Sequence, residues 1–154
     1  PCLVRINLVI IVKLVIMYYI RSIMKNTIFK LTEHVYYFSL LVLLILYLFP
    51  GSLIGYFLYG NLGQQPNFIV NPIGTSINHF IFFSYITILV LVVRTRVKNI
   101  FTSYKVVLFL SGILEILHLI IPNRAFEFYD LIANMTGVII VLLIYSFIKW
   151  LKHL

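Results

Sequence analysis

The chain has 154 residues, 62% of them hydrophobic and only 10% charged, with a mean hydropathy of +1.08. A water-soluble domain is about a quarter charged, so this composition excludes one and calls for lipid as the solvent of the outer surface. The net charge of +8 does not signal nucleic acid, because the basic residues punctuate apolar runs and build no polar face. The single cysteine, Cys2, excludes an internal disulfide and a cysteine-based zinc site.

The first stretch, Leu3 to Ile20, is apolar but carries Arg5 and Lys13. A charge at mid-bilayer costs roughly 3 kcal/mol on insertion scales, so this stretch is not expected to span. It lacks a small-residue cleavage site and does not read as a secretory signal. A basic segment over 1–34, lying on the inner leaflet or belonging to upstream sequence with Met17 or Met24 as the start, is the expectation.

Four spans are expected over 35–151, a span needing ~20 mostly apolar residues. The first runs from about Val35 to Phe49, with a continuation into Leu53–Leu58 past the Pro50-Gly51 break left open. The second covers about Ile77 to Val93, the third Val106 to Ile121 and the fourth Tyr129 to Ile148. The expected fold is an all-α transmembrane bundle of about four helices. Its connections are a Gly-, Asn- and Pro-rich loop (Gly60–Ser76), a basic loop (Arg94–Lys105) and a short loop (Pro122–Phe128).

In this arrangement eleven of the twelve Lys and Arg residues fall on one side, and only Arg124 on the other. The positive-inside rule makes the basic side cytoplasmic, with both termini inside a cell membrane and Arg124 outside. A three-span or five-span chain loses this separation.

Polar residues gather at the outer end. Glu115 and His118 are three apart and share a helix face; so do Asp130, Asn134 and Gly137. At 1.5 Å per residue, Asn134 lies roughly 6 Å below Asp130, and Glu115 about 9 Å below Ile121. With His79 at the outer start of the second span and Arg124 in the tight loop, six candidates reach one level: His79, Glu115, His118, Arg124, Asp130 and Asn134. A structural reading pairs Arg124 with Asp130 or Glu115, lets Asn134 bond a neighbouring helix, and uses Gly137 for close packing. Six polar groups exceed what locking four helices needs, and ionisable groups in spans mark function, so a site is favoured. Glu127 reads as a solvated loop charge, and the tyrosines mostly as interfacial or lipid-facing.

The run from Gly112 to Gly137 (Glu115, His118, Pro122, Arg124, Asp130, Asn134, Gly137) resembles the VanZ-like family of small membrane proteins. That family's pattern is a Glu, usually a Gln three on, a Pro-x-Arg turn, then Asp-x-x-x-Asn-x-x-Gly. His118 stands where the Gln is usual. The family's earlier Asp-Lys-x-x-His signature keeps only its histidine, His79; Thr75 and Ser76 replace the first two residues. The likeness covers roughly Ser39 to Leu151. It implies a four-helix membrane protein with an uncharacterised biochemistry, linked through the family's founding member to low-level resistance to teicoplanin-type glycopeptide antibiotics.

Three functions compete. The first is binding or modifying a cell-envelope amphiphile, such as a lipid-linked wall precursor, with Arg124 holding a phosphate or carboxylate and Glu115 and His118 moving protons. The second is a metal-dependent membrane enzyme, since Glu115-x-x-His118 has the spacing of carboxylate-bundle sites with His79 and Asp130 as further ligands. Such sites carry two of these motifs and only one is present, so the sequence assigns neither metal nor cofactor. The third is a subunit of a transport or assembly complex; four helices are few for a transporter, and an oligomer would answer that objection.

Overall fold

The computed structural model describes the backbone of residues 2–64 and 74–153, with the side chains of residue 14, residues 16–64 and residues 76–153. Most of the Gly60–Ser76 loop lies outside these described residues, as do the side chains of Arg5, Lys13 and Thr75. The expected all-α architecture is the one observed: an apolar chain satisfies its backbone groups internally, and helices are the only regular structure among the described residues.

Between Cys2 and Phe49 the sequence has neither Gly nor Pro. Accordingly α1 (Cys2–Leu48) runs unbroken for 47 residues, straight past the expected boundary at residue 34. Pro50 ends it by disfavouring helical backbone at Phe49, and Gly51, at φ 91°, turns the chain in a conformation other residues resist. A separate short helix follows, α2 (Leu53–Tyr59), so the first span does not continue through the break. Ser52 caps it by accepting from the Gly55 N–H at 2.9 Å.

The remaining helices are α3 (Gly74–Val93), α4 (Tyr104–Leu117) and α5 (Phe128–Leu151). Among the described residues three helices are long and apolar enough to cross a membrane: the Ile16–Leu48 part of α1, Ser76–Val93 of α3, and α5. The third expected span is helical over only 14 residues, roughly 21 Å at 1.5 Å per residue, against a hydrocarbon core of ~30 Å. Ahead of Pro122 the chain leaves the α-helix in tighter turns, with the N–H groups of His118, Leu119 and Ile120 each donating three residues back.

α3 and α5 form the most extensive pairing in the bundle, α4 packs on both, and α1 lies against α3 and α4. α3 and α5 run parallel, because Ser76 meets Asp130 at one level and Ser84 meets Gly137 further along. Gly137 is needed there: a Cβ would sit 2.6 Å from the Phe80 carbonyl oxygen and 3.1 Å from Ser84 Oγ. Tyr36, Leu43, Phe83, Ile86, Val107 and Val138 form the core. Phe38, Leu41, Ile88, Phe109, Leu143 and Ile144 face outward, the all-round apolarity of a helix bundle in lipid.

The basic α3–α4 loop is tied to the middle of α1. Tyr36 donates to the Phe101 carbonyl at 2.5 Å, Asn99 Nδ2 donates to Tyr37 at 2.9 Å, and Arg96 bonds Asn26 Oδ1 at 2.8 Å while lying over Phe29. The other end of the bundle, where α1 and α4 finish and α3 and α5 begin, holds the polar cluster.

Candidate functional site

The helical spacings place one or two polar side chains from each of four helices at the same level. Tyr47 comes from the last turn of α1, Ser76 and His79 from the first turns of α3, Glu115 from the last turn of α4 with His118 at its C-cap, and Asp130 and Asn134 from the start of α5. Glu115 and Asn134 are wholly inaccessible, His118 and Asp130 each 4% exposed.

Glu115 is held through one oxygen. Its Oε1 accepts from the Glu127 backbone N–H at 3.1 Å and lies 3.2 Å from His118 Nδ1. Its Oε2 lies 4.0 Å from His79 Nδ1 and has no hydrogen-bond partner among the described residues. Asp130 is arranged alike. Its Oδ1 accepts from Ser76 Oγ at 2.5 Å, while Oδ2 faces His79 Nε2 at 3.4 Å. Its position in the first turn of α5 also places its charge near the positive end of the helix dipole.

Tyr47 knits the group together. Its hydroxyl donates to Asn134 Oδ1 at 2.8 Å and lies 2.6 Å from His79 Nδ1. Its ring stacks on His118 and meets His79 edge-on. The hydroxyl has one proton. With that proton on the Asn134 bond, the contact to His79 is made by an Nδ1–H donating to the phenol oxygen, so a neutral His79 turns a bare Nε2 towards Asp130.

Arg124 departs from the sequence expectation. Its guanidinium pairs with neither Glu115 nor Asp130. Nε donates to the Phe49 carbonyl at 3.3 Å and Nη2 to the Leu46 carbonyl, so it caps the C-terminal end of α1, whose last carbonyls have no helical partner. Burial lowers its pKa from the ordinary arginine value, against smaller opposing effects of Tyr47 and Glu115; a guanidinium remains charged regardless. Among the described residues, the cationic partners within 4.0 Å of a carboxylate are all histidines.

The six sequence candidates therefore reach one end of the bundle, five in one bonded cluster and Arg124 at its edge. Three contributors were not among them: Tyr47, which is 8% exposed and not lipid-facing, Ser76, and the main chain of Glu127. The Glu127 side chain is exposed as expected, though partial burial, Asp130 and Glu115 raise its pKa, against His118.

A cavity of about 150 Å³ opens beside the cluster. Tyr47, Ser52, Asn78, His79, His118 and Arg124 supply its polar wall, and apolar residues such as Leu53 and Phe82 the rest. The buried Nε2 of His118, which lines it, has no hydrogen-bond partner among the described residues. The arrangement can accept a polar group from a partly apolar ligand, move a proton through imidazole and carboxylate, and offer nitrogen and oxygen donors to a cation. No protein-family model matches the chain, and no curated protein and no solved structure matches it either.

Proposed function

We propose that the chain is a VanZ-like membrane protein, with both termini cytoplasmic, whose outward polar cluster binds the headgroup of a cell-envelope amphiphile and thereby alters susceptibility to teicoplanin-type glycopeptides. The supporting observation is the cavity that joins an apolar wall to Tyr47, His79, His118 and Arg124, where the buried His118 Nε2 has no hydrogen-bond partner among the described residues. A lipid-linked precursor has this division, an acyl part for the apolar wall and a phosphate or sugar for the polar one. Orphaned buried donors and acceptors are costly, and a ligand that satisfies them recovers that free energy.

The test is expression in a glycopeptide-sensitive host, with teicoplanin and vancomycin inhibitory concentrations measured side by side. Wild-type protein is expected to raise the teicoplanin value, and His118→Ala, at equal membrane abundance, to return it to the empty-vector level. An unchanged value with abundant wild-type protein overturns the reading.

A further inference from the structure

Among the described residues the cluster leaves one buried carboxylate oxygen, Glu115 Oε2, without a hydrogen-bond partner, and His79 and Asp130 lie beside it. Glu115, Asp130 and His79 are each gripped on their outer side: Glu115 Oε1 by the Glu127 N–H and His118, Asp130 Oδ1 by Ser76, His79 Nδ1 by Tyr47. Asp130 Oδ2 lies 3.4 Å from His79 Nε2, Glu115 Oε2 lies 4.0 Å from Nδ1 of the same ring, and one ligand atom from each of the three residues lies within 4.8 Å of the others. We infer that these residues bind a first-row divalent cation, zinc before manganese, at Glu115 Oε2, Asp130 Oδ2 and His79 Nε2.

Three further observations carry this. The first is spacing. The 3.4 Å between His79 Nε2 and Asp130 Oδ2 is long for a charge-assisted hydrogen bond. It is the edge expected of two ligands on one tetrahedral ion with ~2.0–2.1 Å bonds, which is ~3.3 Å. The second is charge. Two nearly inaccessible carboxylates share this space, while the nearby guanidinium is committed to the α1 carbonyls. A divalent cation neutralises the pair. The third is the outer grip itself. Metal-bound imidazoles and carboxylates are oriented through their second heteroatoms, and all three have that support here. A nitrogen-and-oxygen set of three leaves at least one position open, the pattern of catalytic rather than structural sites. His118 is not a ligand in this arrangement. Its Nδ1 lies against Glu115 Oε1, its Nε2 has no hydrogen-bond partner among the described residues, and the residue lines the adjoining cavity.

The inference rests on reading the cluster as a site, but its test needs no amphiphile, so the two proposals fail separately. The full chain, carrying an affinity tag without histidines, is purified in detergent from zinc-supplemented cells, and its metals are measured by elemental mass spectrometry. About one equivalent per folded chain is expected, with a fall of about tenfold or more in Glu115→Gln and Asp130→Asn. Should either variant not fold, wild-type protein decides: prolonged chelation is expected to lower its melting temperature, with recovery on zinc but not on magnesium. Cobalt substitution should give the visible bands of a tetrahedral site. Folded wild-type protein with no metal and no response to chelator overturns the inference and leaves a histidine proton as the counter-charge. Full metal content in both folded variants overturns it as well, by placing the ion elsewhere.

Discussion

The phenol ring of Tyr47 lies flat against the imidazole of His118, centroids 5.3 Å and planes 16° apart, while its hydroxyl serves Asn134 and His79 on two other helices. One side chain of α1 thus fixes the positions of three partners. Tyr47→Phe keeps the ring contact and removes the hydrogen bonds, which inside membrane bundles are worth about 0.6–2 kcal/mol. A small drop in detergent melting temperature is expected. Tyr47→Ala, which also empties the ring's volume, should cost about 3–5 kcal/mol. Equal losses in the two variants would show that the ring contributes nothing.

Arg124 binds main chain. Lysine keeps the charge but offers a single ammonium where the guanidinium reaches two carbonyls, so Arg124→Lys should destabilise by about 1–2 kcal/mol. The loss should be nearly the same in a Glu115→Gln background, with coupling under about 0.5 kcal/mol. A double-mutant cycle by thermal unfolding measures this. Coupling well above that value would restore the ion pair expected from the sequence.

Gly137 permits the contact between α3 and α5. In Gly137→Leu the new side chain meets the Phe80 carbonyl and Ser84, so the helices must separate or slide. A loss of about 1–3 kcal/mol or more is expected, with Gly137→Ala intermediate. Wild-type melting in the leucine variant would contradict the close approach.

Topology is tested with a single cysteine at position 64 in a Cys2→Ser chain. The eleven-to-one distribution of basic residues predicts labelling by an impermeant thiol reagent in intact cells. Labelling only after cell disruption reverses the orientation.

The side chains of residues 16–24 are exposed. The contacts that tie α1 to the basic loop begin at Asn26 and Phe29. A chain starting at Met24 should therefore insert and melt within a few degrees of the full chain.

The polar cluster was legible in the sequence where polarity is rare. Glu115, His118, Asp130 and Asn134 stand out in apolar helices, and spacings of three and four put them on shared faces. His79 followed from its level in the next span. Tyr47 did not stand out, because a tyrosine near a span end resembles an interfacial anchor, and only the packing of α1 on α3 and α4 turns it inward. Ser76 was hidden for a similar reason: a serine at a helix start commonly serves the backbone. Charge complementarity suggested a carboxylate for Arg124. The competing acceptors, carbonyls freed where Pro50 stops α1, belong to every helix end and leave no mark of their own. The short α4 was likewise obscured, since apolarity continues to Ile121 while the helix ends at Leu117.

Each helix of the cluster supplies atoms the others require, and this bears on how the protein is made. The ribosome releases α1, α3 and α4 first, leaving Glu115 without the Glu127 N–H that later holds it, and His79 without Asp130 or Asn134. A carboxylate in that position is poorly tolerated by lipid. In the half-made chain these groups therefore wait without their partners until the first two turns of α5 arrive.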